Sequence, residues 1–345
     1  MGKTRKLAVA LAVLVLFVLG TFLATLPPAA GPPPPNPNGY DDFLAGGGLV
    51  AGNFDDVAEM QAPALSLLIA SNAPALARFR EGLARRTAVP VEAEITNLAT
   101  MTTTLPALKR MANLLAAEGR LRELEQRPGE AARCYAEATR LGVGISDGVI
   151  IDRLVGIACE AIGETRLMRL VPSLNASQIR SLLPTLNAAE TNEVTWDAVL
   201  RHEQRFARAQ VGRYSNPIML VAGWWMARAS VRRASEKHDL AVARLRLLIT
   251  ELALRERRLE GKPPPASLEA MVPATLSRLP RDPFGNGPLV YRPQGTNWLL
   301  YSLGPDRVDN GGQPIQGRAS RVALPAGTGG TAPPAQGDLF YDSAW

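Results

Sequence analysis

The sequence predicts an α+β fold with an N-terminal transmembrane helix, a mostly α-helical middle domain and a small C-terminal antiparallel sheet packed on a long helix. Three observations predict this fold. Residues 7–26 form an apolar run without a charge, and residues 40–260 repeat apolar side chains at helical spacing. Two short strand-like runs, residues 289–292 and 298–302, flank a turn that contains a glycine.

Length and composition fit a folded chain with more than one domain. The chain has 345 residues, of which 46% are hydrophobic and 20% are charged, so it is long enough for two hydrophobic cores. The predicted order is a cytoplasmic basic segment (1–6), a transmembrane helix (7–26), a Pro-rich linker (27–39), a helical domain (40–235) and a C-terminal module of helix and sheet with a flexible tail (236–345).

The N-terminal apolar run is long enough to cross a membrane. As a helix, residues 7–26 would span about 30 Å, the thickness of the hydrocarbon core of a bilayer. Lys3, Arg5 and Lys6 precede the run, and the first charges after it are acidic. The positive-inside rule then places the N-terminus in the cytoplasm and the bulk of the chain on the periplasmic side. We therefore expect a single-pass inner-membrane protein, with a cleaved signal peptide as the alternative.

A helical hairpin is the clearest pattern in the helical domain. Pro128 and Gly129 form a turn between two helical patterns, and small residues at Gly119 and Ala131 let the helices approach closely. Residues 105–142 resemble a single tetratricopeptide repeat. A solenoid needs about three such units, and one is visible. We therefore expect a helical domain with one repeat-like hairpin.

A long helix is predicted from Glu236 to Gly261, where Gly261 is a suitable C-terminal cap and prolines follow. Before it, residues 217–227 form an apolar run too short to span a bilayer. This run predicts either a buried helix or a segment resting at a membrane interface, and both alternatives stay open.

The polar residues argue against several classes of function. The net charge of +6 comes without a dense basic patch, so nucleic acid is not an expected partner. The two histidines lie far apart, and Cys134 and Cys159 form no Cys-x-x-Cys motif, which argues against zinc. The two thiols are either free or joined in one disulfide. Because there is no Ser/His/Asp or Cys/His pattern and no phosphate loop, we expect no enzyme.

Two motifs near the C-terminus carry a family resemblance. The chain reads Leu-Pro-Arg-Asp-Pro-Phe-Gly-Asn over residues 279–286 and Tyr-Ser-Leu-Gly-Pro-Asp over residues 301–306. With the preceding helix, residues 240–342 resemble the globular domain of the pseudopilins of type II secretion, the major pseudopilin in particular. The resemblance implies a helix packed on a small antiparallel sheet, and a last loop that commonly holds a calcium ion.

The residues in the matching loop include the oxygen ligands that calcium prefers. Calcium binds about six to eight carboxylate and carbonyl oxygens. The alternative is a loop whose Asp and Asn side chains bond to their own backbone. The candidate ligands that follow from the resemblance are two backbone carbonyls and three carboxylates, from Leu303, Asp306, Val308, Asp309 and Asp338.

Taken together, these patterns predict a membrane-anchored, non-catalytic protein of the cell envelope. Its expected role is structural or in protein interaction, linked to secretion or pilus-like assemblies by the resemblance. The expected partners are the cell membrane, through residues 7–26, and a further envelope protein. One alternative is a tetratricopeptide-like periplasmic adaptor that binds a protein partner through its helical domain, and another is an enzyme of a class without a recognisable motif.

Overall fold

The structure is a computed structural model that describes residues 33–54, 57–91, 98–211, 217–315 and 336–342. Within them the helices and strands are, in chain order, α1 (Gly39–Leu49), α2 (Ala62–Ser71), α3 (Ala73–Leu83), α4 (Leu98–Leu124), α5 (Pro128–Gly144), α6 (Ile150–Leu170), α7 (Ala176–Thr191), α8 (Trp196–Val211), α9 (Pro217–Leu259), β1 (Val290–Gln294) and β2 (Asn297–Tyr301). Single turns of 3₁₀ helix lie at Val171–Ser173 and Leu268–Met271.

The helices pack on their neighbours in the chain and on helices two or more positions away. α5 packs on both α4 and α6, α7 packs on α5 and α9, and α9 also contacts α6. α1 lies against α3 and α4. The result is a helical body built from hairpins, with the short strands at the far end of the chain.

The α4–α5 hairpin has the predicted turn. Pro128 is the first residue of α5, where its missing N–H costs no helical hydrogen bond. Gln126 adopts a positive φ of 59°, and the N–H of Arg127 donates to the carbonyl of Arg122 at 2.9 Å. This is the six-to-one bond that closes a helix C-terminus.

Glycines allow α4, α5 and α6 to approach closely. A Cβ on Gly119 would lie 2.3 Å from the ring of Tyr135, and a Cβ on Gly163 would lie 2.3 Å from the Tyr135 carbonyl oxygen. The Tyr135 hydroxyl donates to the Glu123 carboxylate on α4. The predicted close packing at Gly119 is therefore confirmed, and the same device recurs between α5 and α6.

One hydrophobic cluster joins the helical body to the C-terminal module. It contains Leu186 of α7 and Leu248 of α9 together with Phe284, Leu300 and Leu339 of the module. The predicted boundary between residues 235 and 236 falls inside α9. The described residues on its two sides therefore share a core.

A polar seam accompanies this shared core. The Glu190 carboxylate on α7 accepts from Arg246 on α9 at 2.8 Å and from Arg278 of the module at 2.6 Å. Arg246 also donates to the carbonyl of Arg281 at 2.8 Å. These bonds fix α7, α9 and the module to one another.

The sheet is a single antiparallel hairpin. Val290 pairs with Tyr301 and Gln294 with Asn297, and Gly295 in the turn adopts a φ of 62°. Trp298 of β2 faces α9, where its indole N–H donates to Glu251 at 2.8 Å and the guanidinium of Arg258 lies 4.8 Å from its ring. The hairpin thus packs on the long helix.

The predicted α+β class was wrong. Of the described residues, 62% are helical and 6% are extended, and the sheet has two strands. Beside β2, the described residues form isolated bridges at Leu339 and Asp338 and no third strand. Ser302 exchanges both backbone hydrogen bonds with Leu339 in an isolated bridge. On the opposite edge of the strand, which faces β1, the N–H of Leu303 donates to the Asp282 carboxylate at 2.7 Å, and the β1–β2 pairing ends at Val290 and Tyr301.

The prediction of a single-pass inner-membrane protein is contradicted as well. The described part of the chain contains no helix that is both long and apolar enough to cross a membrane. Its longest helix, α9, carries charged residues such as Arg232, Glu236 and Arg244, so it offers no apolar span of the necessary length. The segment predicted as the anchor, residues 7–26, lies outside the described residues, as do residues 27–32 of the linker and residues 316–335 of the tail.

α9 begins 19 residues before the predicted start at Glu236, since it starts at Pro217. It thereby includes the apolar run 217–227, whose side chains lie outside the described part.

Cys134 and Cys159 are both buried and free, which agrees with the free-thiol alternative.

Candidate functional site

The predicted calcium ligands come together in the loop after β2. The Asp338 carboxylate is fully buried and accepts from the N–H groups of Asn310 at 3.2 Å and Gly312 at 2.7 Å. Asp306 accepts from the N–H groups of Val308 at 3.1 Å and Gly337 at 3.0 Å. The Asn310 side chain donates to both Asp306 and the carbonyl of Val308.

Asp309 is turned toward the sheet. It accepts from the Tyr301 hydroxyl at 2.7 Å and from the N–H of Gly311 at 2.8 Å, and it pairs with Arg292 at 3.1 Å. The bond from Tyr301 is the main cause that lowers the pKa of Asp309. At Leu303, the remaining candidate, it is the N–H that is engaged, with Asp282.

The carboxylates of this loop therefore face hydrogen-bond donors. Calcium would need about six to eight oxygens directed at one point, whereas each carboxylate here already accepts at least two N–H or O–H groups. The described residues contain no group of three or more His, Cys, Asp or Glu side chains placed to share a metal ion. This donor set does not fit calcium, and it matches the hydrogen-bonded alternative. Calcium binding itself stays a prediction.

Asp282 links the two motifs that carry the family resemblance. It is buried and accepts from the N–H of Phe284 at 2.9 Å, the Ser302 hydroxyl at 2.8 Å and the N–H of Leu303 at 2.7 Å. Its role is thus to join residues 279–286 to residues 301–306. The two motifs therefore occur together for a structural reason, since hydrogen bonds to Asp282 hold them in contact.

A cluster of buried charges, centred on Arg153, lies between α6, α9 and the segment that joins α7 to α8. The Arg153 guanidinium is fully buried and donates to Glu160 at 2.6 Å, to the Ser146 hydroxyl at 2.9 Å and to Nδ1 of His238 at 2.9 Å. It also pairs with Glu193 at 2.7 Å. We call these five residues the Arg153 cluster.

Burial shifts the ionisation of the groups in and beside this cluster. Burial and the nearby charge of Arg153 lower the pKa of His238 to about 3, so the imidazole is neutral and accepts at Nδ1. Burial raises the pKa of Glu193 to about 8, although the charge of Arg153 acts in the opposite direction. Burial raises the pKa of the neighbouring Glu164 well above its usual range. A carboxyl so shifted holds its proton at neutral pH.

The Arg153 cluster was missed at the level of sequence. Arg153, Glu160 and Glu164 follow one another at helical spacing, on the face of α6 that also carries Gly156 and Gly163. Charged residues on a face of small residues are a signal for a buried network. Shifted groups often mark active sites, but the members here are closed off from solvent, so the cluster fits a structural role.

An open cleft, which we call the basic cleft, lies between the segment after α3, the end of α5 and the segment joining α7 to α8. Its volume is about 550 Å³. Phe43 and Val143 form its buried floor, with Val194 at one side. The polar residues at its walls are Arg85, Arg86, Thr87, Arg140, Asp147, Asn192 and Thr195.

The three arginines of the basic cleft differ in their partners. Arg85 pairs with the buried Asp42 at 2.5 Å. Arg140 is half-buried and donates to the carbonyl of Leu83 at 2.8 Å. It forms no ion pair with a described carboxylate, although the charge of Glu137 on the same helix acts on it from a greater distance. Burial lowers the pKa of Arg140. The backbone carbonyl of the exposed Arg86 accepts the N–H of Gly39 at 2.9 Å, but its side chain makes no hydrogen bond or ion pair with a described residue.

One carboxylate stands among these arginines. Asp147 is half-exposed and lies 4.0 Å from Nδ1 of His202. Burial raises its pKa, and His202 acts in the opposite direction. Three arginines and the Asp147 carboxylate leave the walls with an excess of positive charge. Asp42, which pairs with both Arg85 and Arg78, is 1% exposed and lies behind the residues that line the cleft.

A second cleft of about 580 Å³ lies between the α4–α5 turn and α7. Its charged residues are satisfied near one another, since Arg127 pairs with both Glu125 and Glu130. Arg133, at the same cleft, is 64% exposed and lies 4.0 Å from Glu130. The basic cleft is the stronger candidate because it combines an apolar floor with uncompensated charge.

Comparisons of the chain with protein-family models, with curated proteins and with solved structures find no match.

Proposed function

We propose that the protein is a non-catalytic interaction protein whose helical body holds a protein partner in the basic cleft. The observation that carries this proposal is the cleft itself, where the side chains of Arg86 and Arg140 form no ion pair with any carboxylate in the part of the chain that the structure describes. A concave site with a mostly apolar base and a few directed polar groups is the usual form of a binding site.

The remaining charged side chains favour binding over catalysis. Glu164, Glu193 and His238, whose pKa values are strongly shifted, are enclosed within the helical body. A substrate cannot reach a group that is closed off from solvent, whereas the cleft is open. In this proposal the C-terminal module caps the helical body through the core it shares with α7 and α9.

Crosslinking inside cells tests the proposal. A photoreactive p-benzoylphenylalanine replaces Ala84, which is exposed at the basic cleft, and a matched variant carries it at Ser181 in the second cleft. We expect one protein to be crosslinked from position 84 and not from position 181, and the purified partner to bind the full chain in solution. Equal adducts at both positions, or none, would contradict the proposal.

A second candidate function is co-assembly with a secretion or pilus-like structure through the C-terminal module. The observation that favours it is the hairpin packed on α9 by Trp298 and Arg258, the arrangement that the pseudopilin resemblance implies. Single cysteines introduced at Gln294 and Thr296, on the exposed turn, should then form disulfides with cysteine variants of a major pseudopilin. If no such pair forms while the crosslink from position 84 persists, the cleft is the working surface and this candidate fails.

A further inference from the structure

The charge of the basic cleft indicates which class of partner it would accept. Resting on the proposed function, we infer that the cleft binds an acidic peptide segment, in which carboxylates alternate with apolar side chains. Arg86 and Arg140 bind the carboxylates, and the apolar side chains lie over the accessible apolar residues of the cleft, Leu83, Ala84 and Ala198.

Arg140 is the first anchor for a carboxylate. Its guanidinium is half-buried, and its contact with the carbonyl of Leu83 uses one of its nitrogens. A guanidinium has five N–H groups in a planar fork that matches the two oxygens of a carboxylate. A partly buried cation without a counter-charge is costly, so an incoming carboxylate would gain both hydrogen bonds and charge compensation.

Arg86 provides the second anchor at the rim. It is exposed and follows Arg85, which pairs with Asp42. Because Asp42 is shared with Arg78, the charge of Arg85 is partly compensated, whereas the side chain of Arg86 forms no ion pair with a described residue on this side of the cleft. The first residues of α8 lie on another wall, where Thr195 caps the helix by accepting the N–H of Ala198 at 3.3 Å. The N-terminal end of a helix carries partial positive charge and adds to the attraction.

The apolar floor and the acidic rim residue distinguish a peptide from other anions. A nucleic acid strand requires aromatic faces for base stacking and a longer basic track, and Phe43 is 1% exposed. Asp147 would repel a dense polyanion, yet it tolerates a peptide whose carboxylates lie nearer Arg86 and Arg140. A volume of about 550 Å³ is within the range of sites that enclose a drug-sized ligand or a short peptide segment.

Titration of the full chain with two labelled peptides tests the inference. One peptide alternates Glu and Leu over eight residues, and the other alternates Gln and Leu. Fluorescence polarisation at low salt should show binding about tenfold tighter for the Glu peptide, because charge-assisted bonds to arginine are lost in the Gln peptide. The difference should shrink as sodium chloride is raised, since salt screens charges at an open surface.

Variants locate the binding. Arg86→Gln and Arg140→Gln should each weaken binding of the Glu peptide by roughly fivefold to tenfold, whereas Arg133→Gln in the second cleft should leave it unchanged. Asp147→Asn should tighten binding by roughly twofold to fivefold, because it removes a like charge. A gain of affinity cannot come from misfolding, so this variant keeps the test decisive even if Arg140→Gln perturbs the fold.

Several outcomes would overturn the inference. The inference fails if the two peptides bind equally tightly. It also fails if Arg86→Gln and Asp147→Asn leave the affinity for the Glu peptide unchanged, or if an unstructured oligonucleotide at equal concentration displaces the Glu peptide. A cellular partner crosslinked at position 84 that binds without dependence on Arg86 would refute the acidic ligand but leave the proposed function intact. If the Glu peptide binds but no cellular partner is crosslinked, the acidic ligand is supported and the proposed function is refuted.

Discussion

At the scale of single residues, Arg153 connects three parts of the helical body. Its guanidinium reaches Ser146 in the segment before α6, Glu193 in the segment before α8, and His238 on α9. It also donates to Glu160, which lies two helical turns further along the same face of α6. Because the guanidinium is fully buried, Glu160 depends on it for its counter-charge, and the uncharged partners depend on it for their polar contacts.

Replacing Arg153 should therefore be severe. Arg153→Met keeps much of the side-chain volume but leaves the Glu160 carboxylate buried without its counter-charge and the protonated Glu193 carboxyl buried without its partner. We expect the free energy of unfolding in urea to fall by about 3–5 kcal/mol. The triple variant that adds Glu160→Gln and Glu193→Gln should recover part of this loss, since no charge then remains unpaired. Arg133→Met, at an exposed position, is the control, and a similar loss there would contradict the explanation.

His238 should make the stability depend on pH. The pKa of its imidazole is about 3 in the folded chain, against 6.5 as the ordinary value, because burial and Arg153 oppose its protonation. Arg246 adds to this effect from α9 itself, and Trp196 of α8 packs at 5.7 Å from the ring. Between pH 6.5 and 3 the unfolded state binds more protons, so stability falls as the pH falls. From pH 7 to 5 the loss attributable to His238 should be about 2 kcal/mol.

Glu193 changes the stability with pH in the direction opposite to His238. The experiment therefore has to separate the two contributions. Its pKa is about 8 in the folded chain against 4.5 ordinarily, so its contribution to stability is lost as the pH rises from 4.5 to 8. The free energy of unfolding of the wild type should be compared with that of His238→Asn at each pH, because both chains retain Glu193. The difference in the free energy of unfolding between the wild type and His238→Asn should become smaller as the pH falls below 6.5. A constant difference would show that His238 is not protonated on unfolding.

At the scale of elements, the contact between α5 and α6 depends on glycine. A Cβ on Gly163 would lie 2.3 Å from the Tyr135 carbonyl oxygen and 2.8 Å from the Thr139 hydroxyl. We expect Gly163→Ala to destabilise the protein by about 1–3 kcal/mol, because the two helices must separate. Gly48→Ala is the matched control, since no atom of the described residues lies within 4 Å of its Cβ position. It should be neutral or stabilising by up to about 1 kcal/mol, measured by thermal unfolding with circular dichroism.

The loop after β2 should be insensitive to calcium if its hydrogen bonds are what closes it. Adding a calcium chelator to the purified protein should leave the Tm unchanged, because Asp306 and Asp338 already accept N–H groups. Asp282→Ala should lower the Tm, since it leaves the Ser302 hydroxyl and the Leu303 N–H without an acceptor. A clear fall in Tm on chelation, reversed by added calcium, would instead support the calcium site that the resemblance implies.

How far these elements could be predicted depends on the range of the interactions that create them. The α4–α5 hairpin follows from local features, a Pro-Gly turn and a small residue at Gly119. The Arg153 cluster does not, because its members come from residues 146 to 238 and meet only through packing. The sheet was overestimated for a related reason. Two strand patterns are visible locally, but the Asp282 carboxylate accepts the N–H of Leu303 on the edge that faces β1, and the β1–β2 pairing ends at Tyr301.

At the scale of the whole molecule, the C-terminal module and the helical body share one core. The hydrophobic cluster that contains Leu186 and Leu248 also contains Phe284 and Leu300, and Glu190 ties the two parts together through Arg246 and Arg278. A cap bound in this way stabilises the helices that form the basic cleft, because α7 contributes both to the shared core and, through Asn192 after its end, to the cleft wall.

Cooperative unfolding is the consequence that can be measured. Leu300 is 5% exposed in β2, and Leu300→Ala should cost about 2–5 kcal/mol through lost burial and the cavity left behind. Since the sheet contributes little to the far-ultraviolet circular dichroism, that signal follows the helices. If the two parts unfold together, Leu300→Ala should lower the midpoint of the helical transition. Val308→Ala, at a position that is 55% exposed, should leave it unchanged. A helical transition that stays at the wild-type midpoint in Leu300→Ala would mean that the module unfolds by itself and does not stabilise the helices around the basic cleft.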